Sequence, residues 1–129
     1  METILQARGL KKYYGKGETQ VRALDGVDLD LERGKFTAII GTSGSGKSTL
    51  LNMLGGLDTP TEGSIKVGDT ELAKLSSEQA TIFRRKQIGF IFQNYNLVPV
   101  LSVWENIIFP ISLDGRKPDK KFIMGIVKL

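Results

Sequence analysis

The sequence reads Gly41-Thr-Ser-Gly-Ser-Gly-Lys-Ser-Thr49 between an apolar segment, 36–40, and a run of leucines at helical spacing. Gly41, Gly46, Lys47 and Ser48 match the pattern G-x-x-x-x-G-K-[ST]. Phosphate oxygens are crowded and negative, so a site that binds them needs closely approaching backbone N–H groups, glycines that allow the loop conformation, and a helix N-terminus. The order of strand, glycine-rich loop and helix therefore predicts a phosphate-binding loop in an α/β P-loop NTPase fold.

This loop supplies most of the candidate nucleotide-binding groups. Lys47 adds a mobile positive charge for the β- and γ-phosphates, the Ser48 hydroxyl is placed to ligate Mg²⁺, and Thr49 is expected near the α-phosphate. The alternative is a glycine-rich turn that matches the pattern by chance, and the flanking strand and helix argue against it. The predicted set is Gly41, Thr42, Ser43, Gly44, Ser45, Gly46, Lys47, Ser48 and Thr49.

Strand patterns lie on both sides of the loop. Residues 3–7, 21–31 and 64–67 are predicted strands, and in 21–31 apolar and acidic residues alternate as in a sheet with one buried face. Residues 36–40 and 88–92 are unbroken apolar runs, which are typical of strands covered on both faces. We therefore expect an antiparallel part beside a parallel core.

Two later segments, 76–79 and 102–105, have the spacing of a capping box and predict the starts of two helices. Pro110 is predicted to limit the second of them, because proline lacks the N–H that a helix interior needs. A last apolar helical pattern runs into Leu129 with no following element to cover it. We therefore expect this sequence to be truncated.

The composition excludes several kinds of chemistry. The chain has 129 residues with 18 basic and 14 acidic side chains, a net charge of +4, and neither cysteine nor histidine. Disulfides, thiolate metal sites and histidine bases are therefore ruled out, so any catalysis must use carboxylates, amides, lysine or an oxygen-bound metal. The basic runs are short, which favours a solvated surface over a nucleic-acid site.

Five motifs follow one another along the chain. They are Leu10-Lys-Lys-Tyr-Tyr14, Val21-Arg-Ala-Leu24, Ile39-Ile-Gly-Thr-Ser-Gly-Ser-Gly-Lys-Ser-Thr-Leu-Leu51, Leu57-Asp-Thr-Pro-Thr-Glu-Gly63 and Ile88-Gly-Phe-Ile-Phe-Gln-Asn-Tyr-Asn-Leu97. In this order they closely resemble the N-terminal half of an ABC transporter nucleotide-binding domain. The resemblance is greatest to the branch that serves lipoprotein release, macrolide export and related export.

The resemblance implies an ABC-type domain made of three parts. Residues 1–35 and 63–70 would form the antiparallel β part, and residues 36–57 and 71–93 the partial parallel-sheet core that carries the phosphate loop. Residues 94–129 would begin the helical subdomain. ATP and Mg²⁺ are the cofactors that this family implies.

Two further site residues come from the resemblance. Tyr14 corresponds to the aromatic that stacks on adenine; neighbouring strand residues point to opposite faces, so Tyr13 and Tyr14 cannot both serve. The alternative is that Tyr14 fills the core. Gln93 corresponds to a glutamine whose amide oxygen reaches Mg²⁺ and the attacking water, and with Lys47 it forms the implied catalytic set. The alternative for Gln93 is an ordinary polar strand end.

The resemblance also implies partners and a location. The segment Asn94–Trp104 would line a groove that receives a short helix of a membrane-spanning transporter subunit, although some of its apolar side chains would fill the core instead. Two such domains would pair as a homodimer or pseudo-dimer, in the cytoplasm on the inner face of the plasma membrane. No nucleic-acid partner is expected.

Four features with which the family hydrolyses ATP are missing from this sequence: the Leu-Ser-Gly-Gly-Gln signature, an apolar strand ending in Asp-Glu, the aspartate loop after it, and a switch histidine. We therefore expect these 129 residues to bind ATP·Mg²⁺ weakly and hydrolyse it negligibly, whereas the whole protein is an ATPase by resemblance. A nucleotide-dependent assembly or regulatory module of the division-associated type is the alternative function. A GTPase or small-molecule kinase is disfavoured, because no Asn-Lys-x-Asp guanine motif is present.

Overall fold

The computed structural model describes residues 1–129, which divide into two compact units, Met1–Arg84 and Arg85–Leu129. The strands are β1 Thr3–Tyr14, β2 Val21–Glu32, β3 Glu62–Val67 and β4 Thr70–Glu71, and the helices are α1 Lys47–Leu54, α2 Ser77–Gln87, α3 Val103–Leu113 and α4 Lys120–Val127. All four strands belong to one antiparallel sheet in the order β2-β1-β3-β4. None of the helices has the length and apolar character that crossing a membrane requires.

The core of the first unit lies between the sheet and α1. Leu10 on β1 and Met53 on α1 are its largest fully buried side chains. Burial of one such side chain stabilises the fold by about 1.5–3 kcal/mol. The remaining core members are Leu5, Ala7, Leu24, Leu50, Leu54 and Ile65. The predicted antiparallel strands and the helix after the glycine-rich loop are thereby confirmed.

A β-bulge at Gly9 changes the phase of β1. Ala7 pairs with Leu29 and Leu10 pairs with Val27, so β1 advances by three residues over the stretch in which β2 advances by two. Gly9 has a φ of +56°, a conformation that glycine adopts without strain. Its N–H donates to Asp28 Oδ1 at 2.7 Å. Because of the extra residue, Leu10 is buried with the odd-numbered Ala7, and the even-numbered residues after Leu10 continue its face.

The structure differs from the prediction at the two apolar runs expected to be parallel-core strands. Residues 36–40 and 88–92 belong to no strand, and the sheet contains antiparallel pairs alone. Phe36 and Ile91 are 97% and 89% exposed. An unalternated strand is stable where neighbouring strands satisfy its backbone and both faces are covered, and neither run has such neighbours here. The apolar sequence alone therefore did not suffice to form these strands.

The predicted capping boxes are present at both helix starts. Ser76 and Gln79 exchange backbone-to-side-chain hydrogen bonds of 3.2 and 2.9 Å before α2. Ser102 and Glu105 form the same pair at the start of α3. The expectation that Pro110 limits α3 was wrong, since the helix continues to Leu113. Proline removes only the hydrogen bond that its own N–H would donate. The Pro110 carbonyl still accepts a hydrogen bond from the Asp114 N–H at 3.3 Å.

In the second unit an acidic side chain at the end of α3 pairs with two arginines of the same unit. The Asp114 side chain is 5% exposed and pairs with Arg85 at 2.9 Å and with Arg116 at 2.7 Å. A buried carboxylate needs such partners, because removing it from water unpaired is costly. These two ion pairs therefore fix the C-terminal end of α3 within its unit.

Candidate functional site: a phosphate-binding loop

The glycine-rich loop enters α1 through Gly46, which lies directly against β2. Gly46 is the N-cap residue, directly before the first helical residue, Lys47, and it has a φ of +95°. A Cβ atom at this position would be 2.4 Å from the Ala23 carbonyl oxygen. No side chain longer than glycine's fits so close to backbone, so the loop requires glycine here for both its conformation and its approach.

The N-terminus of α1 presents unpaired backbone donors. No side chain caps this end of the helix, and no acidic residue lies in the first turn. The first intrahelical hydrogen bond is donated by the Leu50 N–H to the Gly46 carbonyl at 2.9 Å. The amides of Lys47, Ser48 and Thr49 therefore have no acceptor within the helix, and they lie at its positive end. This arrangement favours the binding of an anion at the N-terminus of α1.

Lys47 adds a full positive charge to the same place. Its ammonium group donates to the carbonyl oxygens of Gly41 and Thr42 at 2.8 and 2.6 Å, and to Ser45 Oγ at 3.2 Å. All three partners are uncharged, so the charge of Lys47 remains available to a negatively charged ligand. The hydrogen bonds hold the ammonium group over the loop instead of leaving it in solvent.

The oxygen donors available to a metal are hydroxyl and amide groups. No group of three or more acidic, histidine or cysteine side chains is placed to hold a metal ion. Ser48 is exposed on the first turn of α1, where its hydroxyl is the kind of hard oxygen donor that Mg²⁺ prefers. Gln93 belongs to the second unit, where it begins a turn over residues 93–96. The first unit thus contains the predicted loop and Ser48 together, without Gln93.

The two tyrosines at the end of β1 lie on opposite faces of the sheet. The Tyr13 hydroxyl donates to the Asp25 carboxylate, and Arg22 lies over the Tyr13 ring. This hydrogen bond raises the pKa of Tyr13 and lowers the pKa of Asp25. Tyr14 is 45% exposed and shares a face with Lys12. That face continues from Leu10, which packs with α1 in the core.

The turn that carries Gln93 is exposed and tightly bent. Tyr95 and Asn96 have φ values of +61° and +52°, which non-glycine residues seldom adopt. The Tyr95 N–H donates to the Phe92 carbonyl at 3.1 Å and closes the turn. An exposed amide at the head of such a turn is free to contact a ligand.

After this turn the second unit forms an apolar cavity of about 410 Å³. Its lining residues are Leu97, Val98, Pro99, Leu101, Val103, Asn106 and Ile107. The segment 94–104, predicted as a groove, thus supplies most of the wall. Tyr95 is 76% exposed and Trp104 is half-buried. None of the apolar side chains of this segment is fully buried, so the expectation that some of them fill the core was wrong.

Asn106 organises this cavity, and sequence reasoning missed it. Its Nδ2 donates to the carbonyls of Val98, Leu101 and Ser102 at 3.1, 3.2 and 2.9 Å. Its Oδ1 accepts from the Val98 N–H at 2.8 Å. One amide therefore ties the loop 98–102 to α3. The signal that could have identified it is a polar residue directly after the Ser102–Glu105 capping box on an otherwise apolar helix.

A family model, related sequences and solved structures that resemble this chain all belong to ABC transporters or their ATP-binding parts. A family model described as ABC transporter matches residues 24–127. The macrolide export ATP-binding/permease protein MacB of Bdellovibrio bacteriovorus is 47% identical over 119 residues, which cover 91% of this chain and 18% of that protein. The lipoprotein-releasing system ATP-binding protein LolD of Pseudoalteromonas translucida is 46% identical over 88% of this chain and 49% of LolD.

The bacitracin export ATP-binding protein BceA of Halalkalibacterium halodurans is 43% identical over 92% of this chain and 48% of BceA. The chain thus spans about half the length of LolD and BceA, and less of MacB. Among solved structures, a dimeric post-hydrolysis state of the ATP-binding cassette MJ0796 bound to ADP and Pi has a TM-score of 0.82 and 39% identity. The match covers 88% of this chain and 49% of the MJ0796 chain. This similarity confirms the predicted nucleotide-binding-domain fold.

Proposed function

This chain belongs to the ABC transporter family, and we propose that it forms part of an ATP-binding subunit that couples ATP binding and hydrolysis to export by a membrane-embedded partner. The observation that carries the proposal is the loop of the first unit. Lys47 is held over that loop by uncharged oxygens, and the adjoining N-terminus of α1 has no side-chain cap. Both groups favour a triphosphate.

Each group in the loop has a proposed role. The amides from Ser43 to Thr49 hold phosphate oxygens, and the Lys47 ammonium neutralises the β- and γ-phosphates. In this chain Ser48 and Gln93 would hold Mg²⁺, which when bound would offset the negative charge of the phosphates. Gln93 would also orient the attacking water. Tyr14 would stack on the adenine base, which its partial exposure permits.

We propose that these 129 residues alone bind ATP weakly and hydrolyse it negligibly. The chain contains no histidine and no Asp-Glu pair after an apolar strand. Without a carboxylate base to polarise water, and without the signature of a second domain at the γ-phosphate, positioning remains while most transition-state stabilisation is lost. In the whole protein, two such domains would pair as a homodimer or pseudo-dimer.

The cavity beside 94–104 is the proposed seat for a helix of the membrane partner. Its walls are mainly apolar, and Leu97, one of the lining residues, is 69% exposed. An amphipathic helix with apolar residues three and four apart suits such a groove. This contact would place the subunit in the cytoplasm at the inner face of the plasma membrane, with residues 94–129 as the start of the helical subdomain.

The test is calorimetric titration of the purified protein with ATP and Mg²⁺. Lys47→Ala should weaken binding at least about tenfold, since charge-assisted hydrogen bonds contribute about 1.5–3 kcal/mol and tenfold equals about 1.4 kcal/mol. Lys35→Ala is the matched control, because it removes the same charge from an exposed residue outside the loop. Equal affinity of Lys47→Ala and wild type would contradict the proposal. A hydrolysis rate of the 129 residues that Lys47→Ala abolishes would contradict the proposed inactivity.

A further inference from the structure

Lys12 connects the end of β1 to the turn that follows α1. Its ammonium group donates to Asp58 Oδ1 at 3.0 Å and to the Thr59 carbonyl at 2.7 Å. The Lys12 side chain is 15% exposed, whereas that of Asp58 is 41% exposed. The Thr59 N–H also donates to Asp58 Oδ1 at 2.7 Å. Lys12 is thus fixed at its charged end by two acceptors on one turn.

The same two charged groups surround Tyr14. The Lys12 ammonium nitrogen lies 5.2 Å from the centroid of the Tyr14 ring, in cation–π contact with one face. The Tyr14 hydroxyl makes a long hydrogen bond of 3.4 Å to Asp58 Oδ2. The ring is therefore held at its hydroxyl end and on one face, while nearly half of its surface remains exposed. The free part of a fixed aromatic ring suits a flat base.

One residue pair of the β1–β2 ladder connects the group formed by Lys12, Asp58 and Tyr14 to the phosphate loop. Lys12 pairs with Leu24, and a Cβ atom on Gly46 would be 3.3 Å from Leu24 Cδ2. The entry of α1 and the Lys12 side of β1 therefore rest on the same piece of sheet. A ligand that spans from the loop towards Tyr14 would meet a surface whose parts are fixed relative to each other.

We propose that Lys12 and Asp58 are positioning residues that hold the Tyr14 ring for a purine base, and so determine the base-dependent part of nucleotide affinity. This inference rests on the proposed function. A surface tyrosine that is free to rotate loses side-chain entropy when a base stacks on it, whereas a ring already held does not. The hydrogen bond from Lys12 lowers the pKa of Asp58.

The test separates the base from the phosphates by comparing ATP with inorganic triphosphate, both with Mg²⁺, in calorimetric titrations of the purified protein. Lys12→Met should weaken ATP binding about three- to tenfold, because ATP must then meet the entropic cost of immobilising the Tyr14 side chain. Triphosphate binding should remain unchanged. Asp58→Asn should act in the same direction and serves as the second variant. Unchanged triphosphate binding also shows that each variant is folded.

Lys11→Met is the matched control. Lys11 neighbours Lys12 in β1 and makes an ion pair of the same length, 3.0 Å, with Glu62, but its side chain lies on the opposite face from Tyr14. It should leave both affinities unchanged. In a Tyr14→Ala background, Lys12→Met should have no further effect on ATP, which a general loss of structure would not reproduce.

Three results would overturn the inference. Lys12→Met and Asp58→Asn could leave the affinities for ATP and triphosphate both unchanged, or they could weaken the binding of both ligands equally, as a merely structural role predicts. Wild-type protein could also bind ATP no better than triphosphate, in which case Tyr14 does not engage the base although the phosphate loop functions. Wild type that binds neither ligand would instead refute the proposed function, and this inference with it.

Discussion

Gly46 is the position at which a single added methyl group should disturb the phosphate loop most. In Gly46→Ala the new Cβ would lie 2.4 Å from the Ala23 carbonyl oxygen, in a backbone with a φ of +95°. This carbonyl belongs to the backbone of β2 and therefore cannot move aside as the end of a flexible side chain could. The variant therefore suffers two penalties, a left-handed backbone conformation for an L-residue and a clash with backbone.

Gly26→Ala separates the two penalties. Gly26 has a φ of +91°, nearly that of Gly46, but a Cβ there would meet nothing within 4 Å. The conformational penalty alone is about 1–2 kcal/mol, and overpacking adds about 1–3 kcal/mol. We expect the free energy of unfolding to fall by about 1–2 kcal/mol in Gly26→Ala and by about 2–5 kcal/mol in Gly46→Ala.

Urea denaturation followed by circular dichroism measures both changes. With a slope of about 1–3 kcal/mol per molar urea, the extra loss in Gly46→Ala should move its midpoint below that of Gly26→Ala by roughly 1 M at unchanged slope. Equal midpoints for the two variants would refute the argument, because they would mean that the approach of the loop to β2 contributes nothing beyond the backbone conformation.

Two further predictions concern polar contacts. Asn106→Ala removes the acceptor of the Val98 N–H, and at about 1–3 kcal/mol for an unsatisfied group hydrogen exchange of that amide should accelerate by roughly tenfold or more; an unchanged exchange rate would contradict the structure. Tyr13→Phe should destabilise the protein fully between about pH 4 and pH 10, the ordinary pKa values of an aspartate and a tyrosine side chain, because their bond requires ionised Asp25 and protonated Tyr13. The pKa of Asp25 is lowered and that of Tyr13 is raised, so the bond persists beyond both limits before it is lost. The difference from wild type should shrink as pH falls through the pKa of Asp25 and as it rises through that of Tyr13, and a pH-independent difference in melting temperature would show that another contact is responsible.

Features that depend on neighbouring residues were predictable from the sequence. The loop from Gly41 to Thr49 combines its glycines, lysine and hydroxyls within nine residues, and the helix after it forms as expected. The capping box at Ser102 needs only the side chain three residues later. Alternation over residues 27–32 predicted which face of that part of β2 packs against the core, because the residue period of a strand is two.

Features that depend on distant residues were not predictable. Lys12 and Asp58 are 46 positions apart, and no local pattern joins a lysine on a strand to an aspartate in a turn. The run 36–40 looked buried because it is apolar, yet burial depends on which segments cover it, and Phe36 is 97% exposed. Tyr14 was favoured over Tyr13 from the resemblance, whereas in the structure the bulge at Gly9 determines the face on which each tyrosine lies.

That bulge makes the length of β1 as consequential as its composition. Residues before Gly9 and residues after it share the core-facing side because β1 has one extra residue between the Ala7–Leu29 and Leu10–Val27 pairs, and β2 has one between the Leu10–Val27 and Lys11–Asp25 pairs. Loss of the codon for the extra β1 residue would exchange the two tyrosines at the strand's end, so that Tyr13 would turn towards Asp58 and Tyr14 towards Asp25. Natural variation in this strand should therefore tolerate substitutions far more readily than insertions or deletions, and an aligned relative with one residue fewer would need a compensating change in β2.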